Sequence, residues 1–229
     1  MSKIFSGCTL PKILYFSLFI LFCSCSSTYF NAMEKLGYPK RDILVKRVAS
    51  AKDSQLEAKE EFRSALERYR EVINFSGGDL EDKYNDLKSQ LNSCESRAAE
   101  VRKRISSVAE VSTALFNEWQ NELDTFSNQS LKRKSNDQLN RAQRQSHKLL
   151  AVMREAEARL EPALRPLRDN VLSLKHNLNA RAISGLQSES RLIDEQVSEL
   201  VRELERSVHE AEKYIESLSE AEEAEEEVK

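Results

Sequence analysis

Glycine and proline are scarce in this chain, with five and four occurrences among 229 residues. Because these two residues supply most tight turns, so few of them exclude a fold built from many short elements. No segment shows the pattern of a β-strand. Charged residues make up 32% of the chain, in a composition rich in Ala, Glu, Lys, Leu and Arg that is typical of long helices.

A large excess of charge of one sign is also lacking. The formal net charge of -3 excludes a bulk polycation built to bind nucleic acid. His147, His176 and His209 are scattered, and none forms a helical i, i+4 pair with another histidine or a cysteine that would suit a metal. The chain contains neither a glycine-rich phosphate loop after a strand nor a nucleophile elbow. We therefore expect no catalytic residues, no metal site and no cofactor.

Cysteine is rare as well, yet Cys8, Cys23 and Cys25 crowd the N-terminal region and leave Cys94 alone in the rest of the chain. A single thiol cannot close an internal disulfide, so the remainder must be stabilised by packing. The crowded cysteines flank an apolar run, ILYFSLFILF at 13–22, which follows two lysines and is too short to span a bilayer comfortably. This arrangement is typical of a signal peptide.

Ser24, Cys25 and Ser26 resemble the lipobox of bacterial lipoproteins, in which a small residue precedes an invariant cysteine. The resemblance implies that residues 1–24 are a cleaved signal, that the Cys25 thiol is diacylated, for instance with palmitate, and that the new amino terminus is acylated. Two or three acyl chains anchor a protein stably where one would be marginal. Serine after the cysteine implies sorting to the outer membrane, facing the periplasm. The alternatives are an ordinary cleaved signal or an uncleaved anchor, and Cys23 is the less suitable cysteine because a bulky residue precedes it.

Beyond a linker at residues 25–40, apolar residues recur in alternating steps of four and three, which is the a/d pattern of a coiled coil. Four such seams run from Leu44 to Val72, from Leu80 to Phe126, from Leu139 to Val171 and from Leu174 to Leu218. A Gly-Gly pair after the first seam and the stretch FSNQS at 126–130 predict turns. Pro162 and Pro166 predict a kink or break within the third seam.

The sequence therefore predicts an all-α fold, an elongated antiparallel coiled coil or helical bundle at residues 41–218, with three long helices or four. The number depends on the stretch LKHNLNARA at 174–182. The chain either reverses near Asn177–Asn179, so that a fourth helix closes a bundle, or continues as one helix from about Leu131 to Leu218. We favour the continuous helix because no Gly or Pro marks a turn there. The acidic residues 219–229 lack a seam and predict a frayed or disordered tail.

A basic run at the start of the third seam is the sharpest charge feature, and it consists of Lys132, Arg133, Lys134, Arg141, Arg144 and Lys148. Cations in the first turn of a helix oppose its dipole. One hypothesis is that this basic run binds an anion, such as a lipid headgroup, a cell-wall carboxylate or an acidic partner. The hypothesis we favour is that it pairs with Glu118, Glu122 and Asp124, because residues equidistant from a hairpin turn face each other.

Polar residues crowd one short stretch of the fourth seam, namely His176, Asn177, Asn179 and Arg181. A buried Asn can fix the register of a coiled coil at some cost in stability. Recognition of a partner is the functional alternative for this stretch. Cys94 and Trp119 also occupy seam positions, and we expect both to pack in the core.

Three stretches, YFNAMEKLGYPKRDILVKRV at 29–48, VINFSGGDLEDKYN at 72–85 and LKHNLNARAISGLQ at 174–187, resemble an uncharacterised family of proteobacterial lipoproteins known only as a domain of unknown function. The resemblance extends from Cys25 to about Leu218. It implies a helical, coiled-coil lipoprotein, and it implies no activity, ligand or catalytic residue.

We therefore expect a membrane-anchored lipoprotein of the bacterial envelope that acts as a structural or adaptor coiled coil in the periplasm. Its lipid would hold one end at the membrane while the helical rod presents surfaces to a protein partner of the envelope. Homo-oligomerisation stays open, and no nucleic acid partner is expected. The alternative function is a module that binds anions or the cell wall through the basic run at 132–148.

Overall fold

The residues that the computed structural model describes are 39–75, 77, 79–176 and 178–226, and for 180–182 and 220–226 it describes the backbone alone. They form five helices: α1 (Lys40–Ile73), α2 (Leu80–Leu123), α3 (Gln129–Ala158), α4 (Leu160–His176) and α5 (Ala180–Glu226). No strand occurs within these ranges. The predicted all-α helical bundle is confirmed, whereas the predicted signal, Cys25 and most of the linker lie outside the described residues.

The helices form an antiparallel four-helix bundle in which α3 and α4 together take the place of one long helix. Helix α1 packs against α2 and α5, and α3 and α4 both pack against the same two helices from the opposite side. Lys83 binds Glu71 at 2.7 Å beside the α1–α2 turn, and Lys40 binds Glu118 at 2.9 Å at the far end of the same two helices. The hydrogen bonds from α3 and α4 to α2 follow the same antiparallel sense. Short connections between neighbours are characteristic of such up-and-down bundles.

The chain reverses between α4 and α5, so the continuous helix that we favoured from the sequence is wrong. Helix α4 ends at His176 and α5 begins at Ala180. Helix α5 then runs back along α1, as its contacts demonstrate. The Tyr69 hydroxyl donates to the Leu186 carbonyl at 2.5 Å, and further along Arg63 binds Glu205 at 2.9 Å. The four-helix bundle, which was the alternative, is confirmed.

The reversal needs neither glycine nor proline. The Asn179 carbonyl accepts a hydrogen bond from the Ile183 amide at 3.3 Å, which places Asn179 at the N-cap of α5, a position that asparagine favours. Lys175 and His176 lie in the last turn of α4, where cations complement the helix dipole. Long helices in proteins gain most of their stability from burying an apolar face. Closing α5 onto α1 buries more of that face than a projecting rod would, and this gain outweighs the helix propensity of the connecting stretch.

The predicted break at the proline pair is confirmed. Helix α3 ends at Ala158, Arg159 forms a turn, and α4 starts at Leu160. Pro162 has no amide hydrogen to donate, and its ring opposes the carbonyl one turn back, at Ala158. Pro166 is accommodated inside α4. The Arg159 side chain contacts Glu199 of α5 at 2.9 Å, which keeps the broken helix against its neighbour.

The predicted seams supply most of the core. All nine seam residues of α1 are buried: Leu44, Val48, Ala51, Gln55, Ala58, Phe62, Ala65, Tyr69 and Val72. In α2 the predicted seam residues from Tyr84 to Ser112 are buried. After Ser112 the buried positions shift by one residue relative to the predicted seam, a change of phase. Phe116 and Leu123 are buried there, whereas the predicted Leu115 and Trp119 are only half-buried. A straight helix drifts by about 20° per heptad against a 3.5-residue repeat, and α2 follows this drift at its end.

A similar change of phase occurs near the end of α5. Tyr214 is buried, while the predicted seam residues Ile215 and Leu218 are half-buried. The backbone of α5 is helical to Glu226. Residues 219–226 of the expected tail therefore continue the last helix.

Several polar side chains lie inside the core. The Ser146 hydroxyl donates to the Ser112 hydroxyl at 3.2 Å between α3 and α2. Gln55 and Ser207 are fully buried, and neither amide atom of Gln55 nor the Ser207 hydroxyl has a hydrogen-bond partner within the described part of the chain. The ion pair between Lys59 and Glu205 (3.6 Å) shows that Gln55 and Ser207 occupy the same stretch of the α1–α5 interface.

Replacing Gln55 with methionine, which has nearly the same shape, is expected to raise the free energy of unfolding by about 1–2 kcal/mol, because an unpaired buried polar group costs about 1–3 kcal/mol. Chemical denaturation followed by circular dichroism measures the change. Gln90→Met is the matched control. The Gln90 amide donates to the Glu61 carbonyl at 3.1 Å, so its loss should destabilise the bundle. Destabilisation by Gln55→Met would contradict the unpaired state of the Gln55 amide.

Candidate functional site

The basic run lies at the α2–α3 turn, and only part of it is paired as expected. Lys132 binds Asp124 at 3.2 Å across the turn. Glu118, another of the expected partners, binds Lys40 instead. Lys148, at the end of the run, binds Glu210 of α5 at 2.6 Å. Pairing with the preceding helix therefore accounts for one cation of the run.

The other members of the run are exposed, and none of them forms an ion pair within 4.0 Å among the residues that the structure describes; they are Arg133, Lys134, Arg141 and Arg144. Most other exposed arginines of the bundle do have a carboxylate partner. Examples are Arg70 with Asp194 at 2.7 Å and Arg159 with Glu199 at 2.9 Å. The start of α3 therefore carries a local excess of uncompensated positive charge.

This positive charge lies at the end of the bundle where residues 1–39 join it. The ion pair from Lys40 to Glu118 puts the first residue of α1 beside the last turns of α2, which lead directly into the α2–α3 turn. Two large apolar side chains are exposed around this turn, Phe126 at 36% and Leu131 at 53%. Cations and exposed apolar groups are thus adjacent at one end of the molecule.

A cavity of about 280 Å³ lies among the helices at the same end. It is lined by residues from α1, α2, α3 and α5. Its apolar lining comprises Leu44, Leu115, Phe116, Trp119, Ala142, Tyr214 and Leu218. Its polar lining consists of Arg41, Gln138, Arg141, Gln145 and Ser217. The cavity coincides with the level at which α2 and α5 change phase, so it forms where the heptad packing of the core is interrupted.

Hydrogen bonds hold the walls of the cavity in place. The Trp119 indole Nε1 donates to the Ser135 hydroxyl at 2.9 Å, which joins α2 to α3. The Arg41 guanidinium donates to the Leu218 carbonyl, which joins α1 to α5. Burial raises the pKa of the Tyr214 hydroxyl, although hydrogen bonding to Ser146 and the positive charge of Arg41 oppose this effect. Tyr214, which lines the cavity, is therefore neutral at neutral pH.

A second, more open groove of about 650 Å³ runs between α4 and α5. Pro162 and Pro166 line it on one side, and Gly185 and Leu186 line it on the other. A methyl group added to Gly185 would meet no atom within 4 Å, so glycine is not required there for close packing. The groove follows from the short, proline-broken α4.

The polar stretch of the fourth seam lies at the opposite end of the bundle. His176 and Asn179 are exposed, so neither is a buried register-setting residue. Asn177 and the side chain of Arg181 lie outside the described residues. The polar or charged residues that are buried within the described part of the chain are Lys40, Ser54, Gln55, Ser112, Ser146, Asn170 and Ser207. Gln55, Ser112 and Ser146 occupy predicted seam positions, and a polar residue in a seam was the signal that could have identified these three.

Cys94 is confirmed as a buried seam residue. Its thiol donates to the Glu61 carbonyl at 3.3 Å, and burial raises the pKa of the thiol to about 12. A thiol that stays protonated at neutral pH is a poor nucleophile and metal ligand. Among the described residues, no group of three or more His, Cys, Asp or Glu side chains is arranged to hold a metal ion. None of the described helices is both long and apolar enough to cross a bilayer.

Sequence reasoning identified the cations of this end but missed the cavity, which one of them, Arg141, helps to line. A signal was present in Ala142, a seam residue that lines the cavity and is too small to fill a core layer as leucine does. The phase changes of α2 and α5 depend on packing between helices, and the heptad pattern of one helix does not contain that information.

Comparison with known proteins connects the chain to a family. Residues 29–218 match the family described as "Protein of unknown function (DUF2959)". A comparison with curated proteins finds no match. The family match includes every residue of α1 to α4 and most of α5, together with the stretch just before α1. Since it extends over well more than half of the sequence, the chain belongs to the DUF2959 family of uncharacterised proteins.

Proposed function

We propose that the protein is a lipid-anchored component of a bacterial cell envelope, held by Cys25 at the outer membrane, where its helical bundle acts as a structural or adaptor element in the periplasm. The observation that carries the proposal is the short apolar run at 13–22 followed by Ser24, Cys25 and Ser26. The family description names no activity, so the proposal rests on this segment and on the architecture that follows it.

The geometry of the bundle supports a spacer or adaptor role. Helix α2 has 44 residues and is therefore about 66 Å long at 1.5 Å per residue. Residues 25–39 join the bundle at Lys40, and a segment of that length can extend at most about 50 Å. The bundle would thus offer a rigid helical surface to a protein partner at a distance from the membrane.

Cys25→Ser is expected to abolish acylation and leave an unprocessed precursor, because the thiol is the atom that accepts the lipid. Metabolic labelling of cells with an alkyne fatty acid, followed by fluorescent tagging of the purified protein, measures the effect. Cys23→Ser is the matched control and should retain the label. Equal labelling of the wild type and the Cys25→Ser variant would contradict the proposed anchor.

A second candidate function is the binding of anions, and the uncompensated cations at the start of α3 favour it. Their neighbours Phe126 and Leu131 are exposed apolar groups, a combination that suits the surface of an anionic membrane. An acidic segment of the same chain would compete with an anionic membrane for these cations. The last turns of α5 carry the acidic sequence of residues 220–226 and end at the same end of the bundle.

For this second function, the chain from residue 29 onward should sediment with phosphatidylglycerol vesicles at low salt and be released at high salt, because salt screens exposed charges. Replacing Lys132, Arg133 and Lys134 with Gln should weaken this binding by about tenfold or more. In the matched control, Arg63, Arg70 and Arg97 are replaced with Gln in the same way. These three cations are held in ion pairs, so the control variant should bind the vesicles like the wild type. Absence of binding, or equal loss in both variants, would exclude the function.

A further inference from the structure

We propose that the groove between α4 and α5 is a docking surface for an amphipathic α-helix of another envelope protein, one that carries a lysine or arginine within its apolar stripe. The proposal names the partner-binding surface of the proposed adaptor role, and it rests on that role. Three observations carry it: the open edge between α4 and α5, the order of the side chains along the groove, and two carboxylates that face each other within it.

The edge between α4 and α5 is open. Elsewhere along α5, ion pairs cross to the neighbouring helices, as from Lys148 of α3 to Glu210 at 2.6 Å and from Arg70 of α1 to Asp194 at 2.7 Å. No ion pair joins α4 to α5 among the residues that the structure describes, and a groove of about 650 Å³ lies between them. Leu192 lines this groove and is 44% exposed.

The side chains along the groove form matched layers. The lining of α5 includes a seam with steps of four, three and four residues: Gly185, Glu189, Leu192 and Gln196. The lining of α4 includes the same steps in reverse: Ser173, Asp169, Pro166 and Pro162. Each residue of one seam lies as far from Asn179 along the chain as its counterpart in the other, and such residues face each other in an antiparallel helix pair. The groove therefore presents two unfilled seams with coiled-coil spacing, the surface into which a third helix packs.

The layer nearest the reversal consists of two small residues, Ser173 and Gly185. Packing within the chain does not explain Gly185, because a methyl group there would meet no atom within 4 Å. Its backbone does not explain it either, since Gly185 lies inside α5 without a positive φ. Glycine weakens a helix relative to alanine. A docked helix gives this glycine a use, because it leaves room for a bulky side chain of the partner.

The next layer places two carboxylates opposite each other, those of Asp169 and Glu189. Both side chains are exposed, and neither forms an ion pair within 4.0 Å in the described part of the chain. Like charges that face each other across a groove repel, and a cation between them removes the repulsion. An arginine or lysine of the partner fits this layer, and an arginine can bind a carboxylate through two parallel hydrogen bonds.

These layers define the sequence pattern of the partner helix. A bulky apolar residue lies over Gly185, a cation follows after four residues, and an apolar residue follows after three more, against Pro166 and Leu192. Recognition of an amphipathic helix by a groove commonly uses anchors at this spacing. The four layers extend over about 17 Å at 1.5 Å per residue, so three turns of the partner are in contact.

A synthetic peptide tests this surface. It has about 20 residues, enough to form a helix alone, and carries Phe, Arg, Leu and Leu at steps of four, three and four in an alanine-rich background. The fluorescein-labelled peptide is titrated with the full-length protein in phosphatidylcholine nanodiscs, with empty nanodiscs as the blank. Fluorescence anisotropy should show saturable binding. A peptide with Glu in place of Arg should bind about tenfold more weakly, because its charge repels the two carboxylates.

Exchange of charge tests the facing carboxylates. Replacing Asp169 and Glu189 together with Lys should reverse the preference, so that the Glu peptide binds more tightly than the Arg peptide. The matched control replaces Glu67 and Asp86, two exposed carboxylates outside the groove, with Lys and should still prefer the Arg peptide.

Filling the first layer tests the glycine. Gly185→Leu should weaken binding of the Arg peptide by about tenfold, because the new side chain occupies the place of the partner's bulky residue. The Tm of the free protein should not fall, since leucine favours a helix over glycine and the position is open.

Three results would overturn the proposal: no saturable binding of the Arg peptide, the same peptide preference in both double-lysine variants, or unchanged peptide binding by Gly185→Leu. Self-association in analytical ultracentrifugation that Gly185→Leu abolishes would also overturn it, by assigning the groove to a second copy of the chain. Acylation of Cys25 is measured by a separate label. Loss of peptide binding with acylation retained therefore rejects this surface alone, and loss of acylation with peptide binding retained rejects the anchor alone.

Discussion

The antiparallel packing of α5 against α1 is the interaction on which the rest of the structure depends. Helix α1 buries a complete seam in which alanines at 51, 58 and 65 alternate with larger residues. Alanine lets neighbouring helices approach closely, and the larger residues fill the layers between. The Tyr69 hydroxyl, bonded to the Leu186 carbonyl, ties the start of α5 to the end of α1. Without α5, one side of this seam would face water.

In the bundle that this packing produces, the two ends differ in their connections, their charge and the packing of their core. One end is closed by the α1–α2 turn and by the reversal between α4 and α5, and near it the Gln187 amide of α5 donates to the Ile73 carbonyl at 2.7 Å. At the other end α1 begins, and α2 turns into α3. There the core loses its strict heptad phase, and a cavity remains. Four cations of α3, Arg133, Lys134, Arg141 and Arg144, form no ion pair with any described residue. The features that could bind an anion or a small molecule are therefore concentrated at the end of the bundle where α1 begins.

The sequence predicted what depends on periodicity. The seam of α1, the buried Cys94 and the break at Pro162 all follow from spacing and from the chemistry of single residues. Features that depend on competition between helices were not predictable in this way. The reversal between α4 and α5 has a weak local signal in the sequence, and it occurs because α5 buries more apolar surface against α1 than a continuous rod would bury.

The candidate site illustrates the same limit. The basic run was visible in the sequence, but its expected partner Glu118 is taken by Lys40, whose position depends on how α1 begins. The cavity arises from phase changes in α2 and α5 that occur at one level. Each change is small within its own helix. Only the packed bundle shows that they coincide and leave a space beside Trp119.

The distance between α3 and α5 tests the four-helix arrangement most directly. Spin labels on non-natural residues at positions 145 and 212, which leave the native cysteines in place, can be measured by pulsed electron paramagnetic resonance. The ion pair between Lys148 and Glu210 puts these positions at nearly the same level of adjacent helices. With helix axes about 8–10 Å apart, the labels should lie within about 25 Å of each other. A distance on the order of 100 Å, which a continuous helix gives at 1.5 Å per residue, would contradict the bundle.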